Sequence, residues 1–159
     1  VSSPNSSIPA VVDALVALMT GIADAPAAVY DGAENTNEPD VYAIIGGTID
    51  PVVDGDMEWG SIGRPPAVTY EEYEVHVEIS YLQHSEDLEG VQKIVRDGAF
   101  LIFNEFKAAI QADPTLGQIC MWALPGKLGL IQTAAGDAEI ATGRRADIPF
   151  VVRVRNRMQ

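Results

Sequence analysis

Val68-Thr69-Tyr70-Glu71-Glu72-Tyr73-Glu74-Val75-His76-Val77-Glu78-Ile79-Ser80-Tyr81 is the stretch whose reading decides the fold. Tyr73, Val75, Val77, Ile79 and Tyr81 alternate with polar residues, the two-residue period of a strand with one buried face. Val68 and Tyr70 alternate in the other phase. The slip at Glu71-Glu72 predicts a β-bulge, because a bulge sets two residues against one on the partner strand. Fourteen residues at about 3.3 Å each span roughly 45 Å. That exceeds a usual strand, so part of it is expected to project beyond the core.

A long helix follows. Leu88, Val91, Ile94, Val95, Ala99, Ile102, Phe106, Ala109 and Ile110 recur at helical spacing. Ser85 can cap its start, with Glu86, Asp87 and Glu89 in the first turn. Asp113-Pro114 stops it. The predicted helix covers about 86–112, roughly 39 Å at 1.5 Å per residue. Gly90 and Gly98 weaken it slightly or allow close approach to a sheet.

Upstream, Val11, Val12, Leu15, Leu18, Met19 and Ile22 predict a first helix over about 9–23, with Ser6-Ser7-Ile8-Pro9 as its start. Ala28-Val29-Tyr30 and Val41 to Ile45 read as strands. Residues 48–66 hold three glycines, three prolines and four acids, and read as a long loop in which Met57 and Trp59 can form a short strand. Downstream, 118–124, 128–133 and 138–142 are strand candidates. The closing strand, 148–155, turns Ile148, Phe150, Val152 and Val154 to one side and Val151, Arg153 and Arg155 to the other. The expected fold is α+β: one domain over 1–159, with a mixed, mostly antiparallel β-sheet packed by two α-helices.

Hydrophobic residues make up 47% of the 159 and charged residues 21%, the balance of a globular chain. No apolar run approaches the 18 to 20 or so residues of a membrane span. Val1 to Ala10 carries no positive charge and does not read as a secretory signal. An initiator Met is expected to have been lost before Val1, and synthesis to occur in a reducing cytoplasm. The net charge is −13, which argues against wrapping DNA. It is divided unevenly: residues 1–90 carry 17 acids against one base, Arg64, and residues 91–159 carry 9 bases against 6 acids. Such a split suits subunits that meet acidic surface against basic surface.

Little in the chain reads as chemistry. His76 and His84 lie on different elements and do not form a metal pair. Cys120, in an apolar segment, reads as a buried thiol rather than a nucleophile. No nucleophile elbow, zinc-protease helix or phosphate loop is present. Asp50, Asp54 and Asp56 lack the Gly and distal Glu of a calcium loop and read as a solvated acidic segment. Neither cofactor nor metal is expected. The polar constellation of most interest is Arg144, Arg145, Arg153, Arg155 and Arg157, read as a candidate subunit interface, since arginine forks pair with carboxylates. Reversing Arg153 and Arg155 is expected to weaken assembly while leaving the subunit folded. Asp50, Asp54, Asp56, Glu58 and Trp59 form a candidate partner-contact loop.

The order of these features resembles the tail-terminator (tail-completion) family of long-tailed bacteriophages. The residues that carry the resemblance are the helix Val11 to Ile22, then Val29-Tyr30-Asp31, then the strand ending in Gly46-Gly47. The alternating Tyr73 to Tyr81, the helix ending in Ala112-Asp113-Pro114-Thr115-Leu116-Gly117, and Phe150 to Arg155 follow in the same order. The likeness spans about Pro9 to Arg157, with motifs that are short and weigh through their sequence. It implies a non-enzymatic virion protein: a homohexameric ring that caps the tail tube and joins the tail to the head connector. The implied partners are itself, the tail-tube protein and a connector or stopper protein. DNA would pass through the lumen without specific binding, and no membrane is involved. Two alternatives stay open: another neck component, adaptor or stopper, and a small ligand-binding or enzymatic α+β domain.

Overall fold

The computed structural model describes residues 2–3, 5–33, 38–47, 53–59, 69–136 and 141–158. The long alternating segment forms β5 (Thr69–His84), and the closing strand is longer than its sequence pattern, β8 (Ala141–Met158). The two pair antiparallel without a break from Thr69↔Met158 to His84↔Gly143. The remaining strands are β1 (Ser2–Ser3), β2 (Ala28–Asp31), β3 (Val41–Ile45), β4 (Val53–Trp59), β6 (Trp122–Gly126) and β7 (Ile131–Gly136). On the far side of β5 lie β4 and then β3, with β2 parallel to β3 beyond it. On the far side of β8 lie β1, β6 and β7. The fold is α+β, with a mixed and mostly antiparallel sheet, as expected.

Both helices, α1 (Ile8–Gly21) and α2 (Leu88–Ala112), cover the same face of this sheet. Val91, Val95, Ala99, Ile102, Phe103, Phe106 and Ile110 form the buried stripe of α2. They meet Val75, Val77 and Ile79 of β5 and Ile148, Phe150, Val152 and Val154 of β8. The Phe103 and Phe150 rings meet edge to face, with centroids 4.9 Å apart. Val11, Leu15 and Met19 of α1 extend the core over Ala43 and Ile45. Burial of each large apolar side chain contributes about 1.5–3 kcal/mol. Ile94, counted in the stripe by its spacing, is 50% exposed. At about 100° per residue it stands some 120° from the centre of the buried stripe.

Several boundaries differ from expectation for local reasons. No bulge interrupts β5. Glu71 takes a buried position in phase with Thr69, Tyr73 and Val75, so the polar residue follows the period instead of breaking it. The irregularity lies in β7, between Ala135 and Gly136. Asp87, not Ser85, caps α2: its carboxylate accepts from Gly90 N at 3.1 Å, while Ser85 Oγ accepts from Asp87 N. The first residues of the candidate strand 118–124 form a turn. There Asp113 accepts from Thr115 N and Gly117 N, and Leu116, Gly117 and Gln118 adopt positive φ. The candidate 128–133 begins later, at Ile131. The candidate 138–142 lies mostly outside the described residues, and Ala141 and Thr142 belong to β8. The expected 48–66 loop contains all of β4, held by seven register positions against β5.

Gly98 lets α2 pack against the Tyr81 side chain of β5: a Cβ there would lie 2.6 Å from the Tyr81 ring. Gly98→Val is therefore expected to lower stability by about 1–3 kcal/mol through overpacking. Gly21 has open space around it, so Gly21→Ala is expected to gain up to about 1 kcal/mol. Urea midpoints of the two variants check both signs.

Candidate functional site

The helix-free face of the sheet carries the arginines at the end of β8. Side chains alternate along a strand, so Arg153 and Arg155 share this face of β8. Directly across from them on β5 stand Glu74 and Glu72. Arg155 Nη1 lies 3.3 Å from Glu72 Oε2, and Arg153 bridges Glu72 at 3.5 Å and Glu74 at 3.8 Å. Lys127 Nζ adds a contact of 3.1 Å to Glu74. The Arg155 guanidinium also sits 4.9 Å from the centre of the Tyr70 ring. Arg157, opposite Tyr70, is exposed at the end of this ladder.

The same rows continue onto β4. Its register sets Asp54 opposite Glu74, Asp56 opposite Glu72, Glu58 opposite Tyr70, and Trp59 opposite Thr69. The acidic segment and the three C-terminal arginines, nearly a hundred residues apart in the chain, are thus brought to one end of one sheet. Asp54 and Asp56 occupy alternate positions of an extended strand, not a loop wrapped around a cation. Asp50 lies outside the described residues. Arg144 and Arg145 do not join the group. They pair with Gln83 and Leu82 at the other end of the β5–β8 ribbon, and Arg144 Nη1 donates to the Gly143 carbonyl at 3.0 Å.

The carboxylates that complete the ladder, Glu72 and Glu74, were legible only as part of a strand. The available signal was the match of Glu-x-Glu with Arg-x-Arg on two alternating strands, and it acts only once the register is known. Arg153 and Arg155 therefore have partners inside the same chain, so their reversal also loads the fold. These are partly exposed pairs, each worth about 0–1 kcal/mol.

On the covered face, Glu71 forms a buried anchor. Its carboxylate accepts from Ser7 N at 2.6 Å, Ser7 Oγ at 2.7 Å, Ser6 Oγ at 2.8 Å and Asn156 Nδ2 at 3.0 Å. Ser7 stands at the α1 N-cap and makes no side-chain cap; its Oγ is turned to Glu71, to which it donates. The Tyr73 hydroxyl, 2.7 Å away, then donates to Ser7 Oγ. Burial pulls the Glu71 pKa upward, but these donors outweigh it and hold the group below the usual carboxylate range. Burial, more than any other cause, pushes the Tyr73 phenol above its ordinary value.

Cys120 is buried, and burial, with the Asp113 charge second, pushes its thiol up to about 11. That keeps it protonated near neutral pH, as a packing residue would be. His76 is half-buried on the open face, and His84 is exposed with Nδ1 3.3 Å from Thr142 Oγ1. A cleft of about 630 Å³ opens between α1 and the end of α2, lined largely by Ala14, Leu18, Ile22 and Ala109. The two carboxylates at its rim are engaged with backbone: Glu105 accepts from Asp24 N and Asp113 from the turn that follows it. Among the described residues no three His, Cys, Asp or Glu side chains gather where they could hold a metal, and no helix is long and apolar enough to cross a membrane. No family model matches the chain, and a search of curated proteins finds no match.

Glu71→Gln is expected to cost about 3 kcal/mol at neutral pH, since buried donors lose a charged acceptor. Because the folded pKa is depressed, the stability from Glu71 is present above the unfolded value of about 4.5 and is lost as pH falls through the lower folded value. The gap between wild type and variant in urea titrations should therefore narrow between pH 7 and pH 3. Separately, R153E/R155E is expected to lose about 1 kcal/mol by setting acids opposite acids. Adding E72R/E74R should restore it, as chemical denaturation of the two variants and wild type would reveal.

Proposed function

We propose that this chain is a structural virion protein, a tail terminator whose copies close into a ring on the end of a phage tail tube. The observation that carries the reading is the succession of motifs, each of which has a definite structural task in this fold. Gly46 adopts φ 72°, and a Cβ on Gly47 would lie 2.2 Å from the Gly32 carbonyl oxygen, so Gly46-Gly47 ends β3 against the turn after Val29-Tyr30-Asp31. Ala112 to Gly117 is the hydrogen-bonded turn that stops α2 and leads toward β6. The alternating and closing strands are the central pair of the sheet.

A sheet covered by helices on one side and charged on the other suits a subunit that meets copies of itself edge to edge. The acid excess, −13 overall, suits a ring through which DNA slides without sticking. On this reading the ring is a hexamer with the tail-tube protein on one side and a connector or stopper protein on the other, and no catalytic step is required of it. The protein's place is the tail or neck of the virion.

Mass measurement of the purified chain and of the ring released from particles is the test. Six copies are expected. A monomer occupying its position in an intact virion would end the reading. A map of the particle separates the neck alternative: density touching tail-tube subunits supports a terminator, and density touching the portal supports an adaptor.

A further inference from the structure

Among the described residues, five of the eight exposed large hydrophobic side chains lie within eleven residues: Met121, Leu124, Leu128, Leu130 and Ile131. They run along the border of the sheet beyond β8, where β6 and β7 each pair with β8 alone among the described residues. From Pro114 to Gly136 the only charged residue is Lys127. An apolar border free of acids, with an open strand edge, is an association site, or a hazard if left bare.

The two strands of this border differ. In β6, Ala123 N already donates to Pro114 O at 2.7 Å, and Pro125 has no N–H to offer, so its outer edge is closed to backbone pairing. In β7 and the segment leading into it no such protection occurs among the described residues, and Ile131 to Ala134 are exposed.

We propose that Leu128–Ile131 receives the β2 edge of a second copy, Ala28–Asp31, so that the sheet continues from one subunit into the next. This deepens the ring reading and rests on it. Strand direction supports the pairing. β2 runs parallel to β3, β3 antiparallel to β5, β5 to β8, and β8 to β7. A copy added in the same orientation therefore brings β2 against β7 antiparallel, the more stable arrangement. Row alignment supports it too. Ala28, Tyr42, Ser80, Asp147 and Ile131 stand in one row across five strands. Addition along that row sets Ala28 beside Ile131 and Val29 beside Leu130.

Charge selects the same partner. Residues 24–58, which contain the β2 and β4 border, carry nine acids and no base. Two such borders repel one another, whereas the 114–136 border carries no acid. The contact is heterologous, one border meeting a different one, which is the kind that closes rings.

The test uses the whole chain with V29C/L130C. Native Cys120 is buried and does not interfere. Mild oxidation is expected to give a ladder of covalent multimers ending at the ring, while V29C and L130C alone give no ladder. L128D/L130D, two changes at exposed positions, is expected to leave the circular dichroism spectrum unchanged and to abolish the ring. A ring that persists in L128D/L130D, with no cross-link in V29C/L130C, would overturn the pairing and leave the ring reading standing. Dimers that stop at two copies in L130C alone would also overturn it, by showing the apolar borders paired with each other. A monomer in solution and in the particle would remove both readings.

Discussion

β5 and β8 stay in register over the sixteen residues of β5, and every other strand except β2 is hydrogen-bonded to one of them. Neither could stand alone, because a bare two-stranded ribbon is marginal in water. What makes this pair persist is the helix layer on one face, where α2 lays seven buried side chains across both strands. The pair then acts as a double rail. β3 and β4 attach in succession along one side, and β7, β6 and β1 along the other.

Glu71 ties that rail to α1. A carboxylate in a core is costly unless its lone pairs are met, and here four donors meet them. Three come from Ser6 and Ser7 at the entrance of α1, and one comes from Asn156, its cross-strand neighbour on β8. The node joins the start of the chain, the long strand and the end of the chain at one point. The node also holds the Ser7 hydroxyl against Glu71, and Ser7 makes no side-chain cap on α1.

The two faces and two borders of the sheet carry different kinds of surface. The open face is salted with paired charges, which fix register and solubility more than stability. The 114–136 border beyond β8 is apolar and free of acids, while residues 24–58, beyond β5, carry acids and no base. An acidic chain has little reason to keep a bare apolar edge unless something covers it, and the strand directions make a further copy a fitting cover.

Periodicity by itself determined α1, α2, β2, β3 and the core faces of β5 and β8, because burial on one side writes a period of two or 3.6 residues into the chain. It also pointed to the arginines and the acidic segment, though not to their meeting. Only tertiary structure decided that Glu71 belongs to the core, since a period read from hydrophobicity takes a glutamate as an interruption until its hydrogen-bond donors, sixty or more residues away, are in place. The same holds for β4, whose glycine and acids resemble a loop until β5 offers a backbone to pair with. It holds as well for the split of the five arginines into two groups, which depends on register. Short-range pattern records which side of an element is buried, whereas pairing partners are chosen by the rest of the chain, and that choice is a property of the folded whole.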